Sequence, residues 1–256
     1  MVRKPASFVL VLLLLAVAAG PVRAQSNPIF LAHGRIEFMR SVNVYAQLTS
    51  VQDGDDQWTD LIKKMSNHFR TSYFDLYFTG NRSLYKPGRE SDDKQTAFFW
   101  QPPAQDNVVW SDLVNGKGVS RKNVFEQAFL VQDSLRRIKW KITDETRNIV
   151  GFNCRRANAI IMDSIYVVAF YTDEILAEGG PESFTGLPGM ILGVSLPHEH
   201  VSWFATKVEA VAVTEAQVEA PLKGKKVNTA GLLQSIQGSL KDWGKTGRQY
   251  MEAIVL

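Results

Sequence analysis

Apolar and polar side chains alternate with period two along much of this sequence. Arg35-Ile36-Glu37-Phe38-Met39 and Val42-Asn43-Val44-Tyr45 follow the pattern, and Ile138-Lys139-Trp140-Lys141-Ile142-Thr143 keeps it strictly, setting Ile138, Trp140 and Ile142 on one face. Residues 71–79, 83–86, 107–114, 124–131, 152–162, 165–172, 190–196 and 201–214 read as further strands. Gly80-Asn81, Asn115-Gly116-Lys117-Gly118 and the polar run 143–148 fit the hairpin links between them. The expectation is a meander of mostly antiparallel strands with one buried face. A twisted sheet of that many strands curls, so the fold class is mainly β with α: a half-barrel or bowl, shaped like the periplasmic lipoprotein carriers.

Two segments change to helical period. Trp58, Leu61, Ile62, Met65 and Phe69 form one apolar stripe behind a capping Asp55 or Asp56, which predicts a helix over 56–69 lying across the concave side of the sheet. Leu232, Leu233, Ile236, Leu240, Trp243, Tyr250 and Ile254 form a second stripe, weakened by Gly238, Gly244 and Gly247. With residues 221–226 read as a hinge, the chain divides into a β-rich domain over 25–220 and a helical tail over 221–256.

Residues 1–24 have the order of a secretory signal: Arg3 and Lys4, an apolar run from Phe8 to Ala19, then Val22-Arg23-Ala24. The run is shorter than the roughly 20 residues a membrane span needs. Arg3, Lys4 and Arg23 account for the whole formal excess of +3, so an exported chain starting near Gln25 is neutral. Neutrality argues against nucleic acid and against a polybasic membrane patch, and no later stretch is long enough for a membrane anchor. The expected location is periplasmic or secreted, in soluble form. The single Cys154 allows no internal disulfide, so packing must hold the fold.

The densest motif is Phe170-Tyr171-Thr172, then Gly180-Pro181, Phe184 and Gly186-Leu187-Pro188-Gly189-Met190-Ile191. Pro188 fixes φ near −65° and Gly189 is free to take positive φ, which predicts a type II turn launching a strand at Met190. With Trp140 and Ile149-x-Gly151-Phe152-x-Cys154-x-x-Ala157 upstream, the stretch resembles the GLPGLI family of exported bacterial proteins. The resemblance implies an exported β-rich protein working near outer-membrane receptors, and it implies no catalytic residues. Tyr171, Gly180, Pro181, Phe184, Gly186, Leu187, Pro188 and Gly189 are its candidate binding or structural positions.

No catalytic motif stands out. Gly193-Val194-Ser195-Leu196-Pro197 lacks the second Gly of a nucleophile elbow, and Gly238 to Thr246 has the wrong spacing for a phosphate-binding loop. His198-Glu199-His200 could bracket Zn²⁺ or Cu²⁺ on a strand if Cys154, His33 or His68 supplied a third ligand. An exposed turn explains the same residues with fewer conditions, so no cofactor is expected, and Cys154 reads as a small buried hydrophobe. Three functions remain: a binding or accessory module for an apolar ligand, peptide or outer-membrane receptor segment; a metal-handling protein on His198, His200 and Cys154; and an uncatalogued hydrolase. A purely apolar pocket favours the first, converging ligands the second, and paired buried carboxylates the third.

Overall fold

The computed structural model describes residues 30–51, 57–91 and 103–256. Within them the strands β1 (His33–Asn43), β2 (Phe69–Thr79), β3 (Arg82–Pro87), β4 (Val108–Asp112), β5 (Lys117–Val124) and β6 (Gln127–Ser134) form one antiparallel meander. A second meander follows in β7 (Lys141–Ile149), β8 (Phe152–Ile161), β9 (Ile165–Thr172), β10 (Met190–Leu196) and β11 (Val201–Glu209). The two halves join where β11 pairs antiparallel with β1, and β12 (Lys225–Val227) adds a parallel edge to β6. The result is one open sheet in the order β12-β6-β5-β4-β3-β2-β1-β11-β10-β9-β8-β7.

Connectivity alone forces this sheet to curl. β6 and β7 stand ten places apart in the order, which in a flat sheet is roughly 48 Å at the usual strand spacing. Only residues 135–140 join them, and so short a link reaches about 25 Å even fully extended. The edges must therefore bend toward each other. On the face of the sheet opposite Trp203, Arg147 of β7 reaches over Phe204 of β11, 4.8 Å from its ring centre.

Several expectations change. Val44 and Tyr45 leave the strand, because the Asn43 side chain accepts from the Ala46 N–H (3.0 Å) and starts α1 (Val44–Val51). The next helix, α2 (Gln57–Met65), ends before Phe69, which begins β2. Its stripe does not cross the concave side: Leu61 is 45% exposed and Phe69 49%. α2 rests instead on α1, where the Tyr45 hydroxyl donates to the main-chain carbonyls of Lys63 and Ser66. The run 143–148 is the body of β7 rather than a link, the turn falling at Val150-Gly151 with φ of 51° and 89°. β5 had no apolar alternation to announce it. Residues 1–24 and the capping Asp55 and Asp56 lie outside the described residues.

The inner side of the curl is filled by the chain itself. Residues 173–189, between β9 and β10, pass through it with Ile175, Phe184 and Leu187 buried against Ile36, Phe38, Leu76 and Trp203. Trp140 pins this segment by donating its indole N–H to the Thr185 carbonyl (2.9 Å). At the other end, α3 (Thr229–Leu240) and α4 (Gly244–Val255) pack on β5 and β6 through Leu232, Ile236, Tyr250 and Ile254, which meet Val124, Phe129 and Val131. The stretch read as a hinge contains the start of β12. No helix among the described residues is long and apolar enough to cross a membrane.

Candidate functional site

Strand periodicity puts Ile36, Phe38, Arg40 and Val42 of β1 on the inner face, and all four are buried. Arg40 is the exception to the apolar phase, 5% exposed, with its guanidinium 5.7 Å from the centre of the Trp203 ring on β11. On β5 the same phase buries Lys122 beside Val124. Glu182, from the filling segment, completes the group at 2% exposure and takes an unusual φ of 52° to do so. Its Oε2 accepts from Asn107 (3.0 Å), while Oε1 and the Arg40 Nε and Nη1 have no hydrogen-bond partner.

The surroundings disfavour charge of either sign. Burial pushes Lys122 down to about 8 and lowers Arg40, while it holds Glu182 above the usual carboxylate range despite the pull of Lys122 and Arg40. Burial likewise raises the Tyr85 hydroxyl well above its ordinary value. A cavity of about 30 Å³ is lined by Arg40, Gln47, Glu182, Glu199, Trp203 and Glu252 among others. Glu199 and Glu252 are both raised, chiefly by burial, and Glu252 also by the nearby Glu199.

The end of α4 separates this cavity from a second one of about 100 Å³, lined by Lys122, Arg136, Ser183 and Val255 among others. Leu256 borders both. Three consecutive main-chain oxygens are held there by the body of the protein. Lys122 Nζ donates to Ile254 (2.7 Å), Arg136 Nη2 to Val255 (2.6 Å) and the Ser183 hydroxyl to Leu256. Two cations at a helix C-terminus also suit the negative end of its dipole.

The motif positions are elsewhere and mostly inside the core. Tyr171, Gly180, Pro181, Phe184, Leu187 and Gly189 are buried, and Gly186 and Pro188 are exposed. The turn differs from type II: the Gly189 N–H donates to Leu187 O (2.9 Å), a three-residue turn about Pro188, with Gly189 at φ 137°. A Cβ on Gly189 would sit 2.1 Å from the Thr172 carbonyl oxygen, so β9 and the turn meet backbone to backbone.

His198 and His200 lie in the turn between β10 and β11, His200 at φ 54°, and not on a strand. Cys154 is not beside them. The pairs Arg155–Tyr171 and Thr172–Met190 set Cys154 level with the start of β10, whereas His198 follows its other end, about 20 Å away along the strand. His68 is stacked between Tyr45 and Phe69. Among the described residues no three His, Cys, Asp or Glu side chains are grouped to hold a metal ion. Burial also pushes the Cys154 thiol up to about 12, far from a ready thiolate.

The comparisons with known proteins do not support the GLPGLI resemblance. Residues 120–231 match the family described as "N-glycanase peptide, N-terminal domain". That match covers the motif stretch and overturns the GLPGLI resemblance. No curated protein matches the chain. Two solved structures, titled as PNGF-II in the P21 and C2 space groups, each superpose with a TM-score of 0.51 over 81% of this chain, at 14% and 15% identity. The chain spans about a third of their length (34% and 33%). The likeness is one of fold: a β-rich domain of the kind those structures contain.

Proposed function

We propose that the chain is a non-catalytic binding module, exported by the signal-like residues 1–24, that takes its ligand inside the curl of the sheet. One observation carries this reading: Arg40, Lys122 and Glu182 occupy inward positions of a sheet whose neighbours are apolar. Well-packed apolar residues at such sites are often as stable or more stable than charges there, so the presence of these charges supports a recognition role. The site is mixed polar and apolar, not the purely apolar pocket that would by itself have favoured a binding module, and a polypeptide segment has that mixture. The partial match to a family described as an N-terminal domain supports the reading of a module.

Native mass spectrometry of the full chain purified from an exporting host tests the reading. A bound mass should accompany the wild type and vanish in the triple variant Arg40→Met/Lys122→Met/Glu182→Leu, whose melting temperature should not fall. The unliganded mass alone in both proteins would refute it. A hydrolase is a second reading, favoured by Glu199 and Glu252 lining one cavity. The cavity of about 30 Å³ sits far below the roughly 300–1,000 Å³ of ordinary ligand pockets, so a ligand of either kind needs part of the chain that fills the curl to move aside.

A further inference from the structure

We infer that the groove between Lys122, Arg136 and Ser183 is a receptor for a polypeptide segment of three consecutive apolar residues, and that Ile254-Val255-Leu256 occupies it in cis. The inference rests on the proposed binding function and names the ligand class.

The body recognises the tail by its backbone. Lys122, Arg136 and Ser183 each bind one of three successive main-chain oxygens, contacts that any peptide can supply. The side chains add apolar anchoring: Ile254 joins the cluster of Val124, Phe129 and Leu232, and Leu256 joins the main core. A groove that reads main-chain oxygens and apolar bulk can accept another segment of the same chemistry.

The tail is also built to leave. Gly244, at φ 55°, sets α4 off from the short 3₁₀ turn Lys241–Trp243, giving a backbone joint at the helix start. α4 starts with no side-chain cap, and Gly247 lowers its helix propensity while letting it approach Leu240 O, where a Cβ would sit at 2.5 Å. Glu252 lines the same cavity as Glu199, and its carboxyl is held up by burial and by the nearby Glu199 charge. The flanking cavities of about 30 and 100 Å³ both border Leu256, and lifting the tail joins them into one channel.

The test uses the full chain and a fluorescein-labelled nonapeptide identical to residues 248–256. Ile254→Asp should release the tail while the amides of β1, β2 and β11 keep their hydrogen-exchange protection. The released variant should bind the peptide at least tenfold tighter than the wild type, and adding Lys122→Met and Arg136→Met should remove that binding. A folded released variant that ignores the peptide would overturn the inference, as would binding indifferent to Lys122 and Arg136. So would global unfolding of the variant, because α4 would then be core. In the wild type, α4 amides should exchange at least tenfold faster than those of β1, and equal protection also counts against it. If a bound mass still accompanies the purified wild type while the peptide fails, the binding function stands and only this ligand class is lost.

Discussion

Replacing Gly189 by Ala adds one methyl group and should destabilise the protein more than its size indicates. The added Cβ would approach Thr172 O to 2.1 Å, Thr172 C to 2.8 Å and Asp173 Cα to 3.1 Å, all backbone atoms at the end of β9. None can rotate away as a side chain would. Holding a residue with a Cβ at the observed φ of 137° costs about 1–3 kcal/mol. Relieving the overlap by shifting packed backbone costs about 1–3 kcal/mol more, for a sum of about 2–6 kcal/mol. At roughly 2–4 °C per kcal/mol for a chain of this size, the midpoint lies near a 12 °C drop in Tm. Gly238→Ala is the control: the site is on α3, nothing lies within 4 Å of the added Cβ, and the change should raise stability by about 1 kcal/mol. Differential scanning calorimetry of both variants decides the matter. A Gly189→Ala protein melting within 2 °C (about 1 kcal/mol or less) of the wild type would refute the backbone-contact account.

Cys154, with its thiol pushed up to about 12 by burial, should not react with a disulfide reagent at pH 8 in the native protein and should react fully in guanidinium; native labelling at the denatured rate would place it on the surface. Glu182, Glu199 and Glu252 are all held above the unfolded value of 4.5, so the folded state binds protons more tightly there, and their contribution to stability falls as pH rises above 4.5 through the raised values. Asp112 and Asp133 are held below 3.8, so their contribution is lost only in stronger acid. Melting temperature should therefore peak in mild acid and fall toward pH 7; a steady rise from pH 4.5 to 7 would contradict the burial of the three glutamates. Lys122, lowered from 10.5 to about 8, sheds its proton first in the folded state and adds stability as pH climbs from 8 to 10.5, a gain that Lys122→Met should abolish.

How far the fold could be read depended on whether a segment's burial was local or came from distant chain. β1, β9 and β10 bury one or both faces continuously, and their alternation or apolar runs are visible in the sequence. β5, between β4 and β6, and the edge strand β7 carry mostly polar residues, so their pairing leaves little compositional trace. The helical stripe held for Leu61, Ile62 and Met65, failed at Phe69, which begins β2, and was misleading as a location. The inner face it was expected to cover is taken by residues 173–189 and the end of α4, segments more than a hundred residues away. Periodicity tells which side chains share a face and is silent on what competes for that face.

The site follows the same logic, with one signal that sequence could have offered. Arg40 interrupts the series Ile36, Phe38, Val42 at an inward position, and a charge in the apolar phase of a buried strand needs compensation from elsewhere. That requirement is visible at residue 40; its answer is not, since Glu182 comes from a loop 142 positions later and reaches the interior through a backbone conformation no pattern marks. Lys122 sits likewise in phase with Val124, inside a strand too polar to be recognised. The His198-Glu199-His200 run attracted attention because its residue types bind metals, but coordination needs convergence, and the register of β8, β9 and β10 carries Cys154 away from it. In this chain the histidines that stand out by type, His198 and His200, lie on a turn, and Cys154 is buried in β8. The groups that converge are ordinary charges made unusual by where the sheet places them.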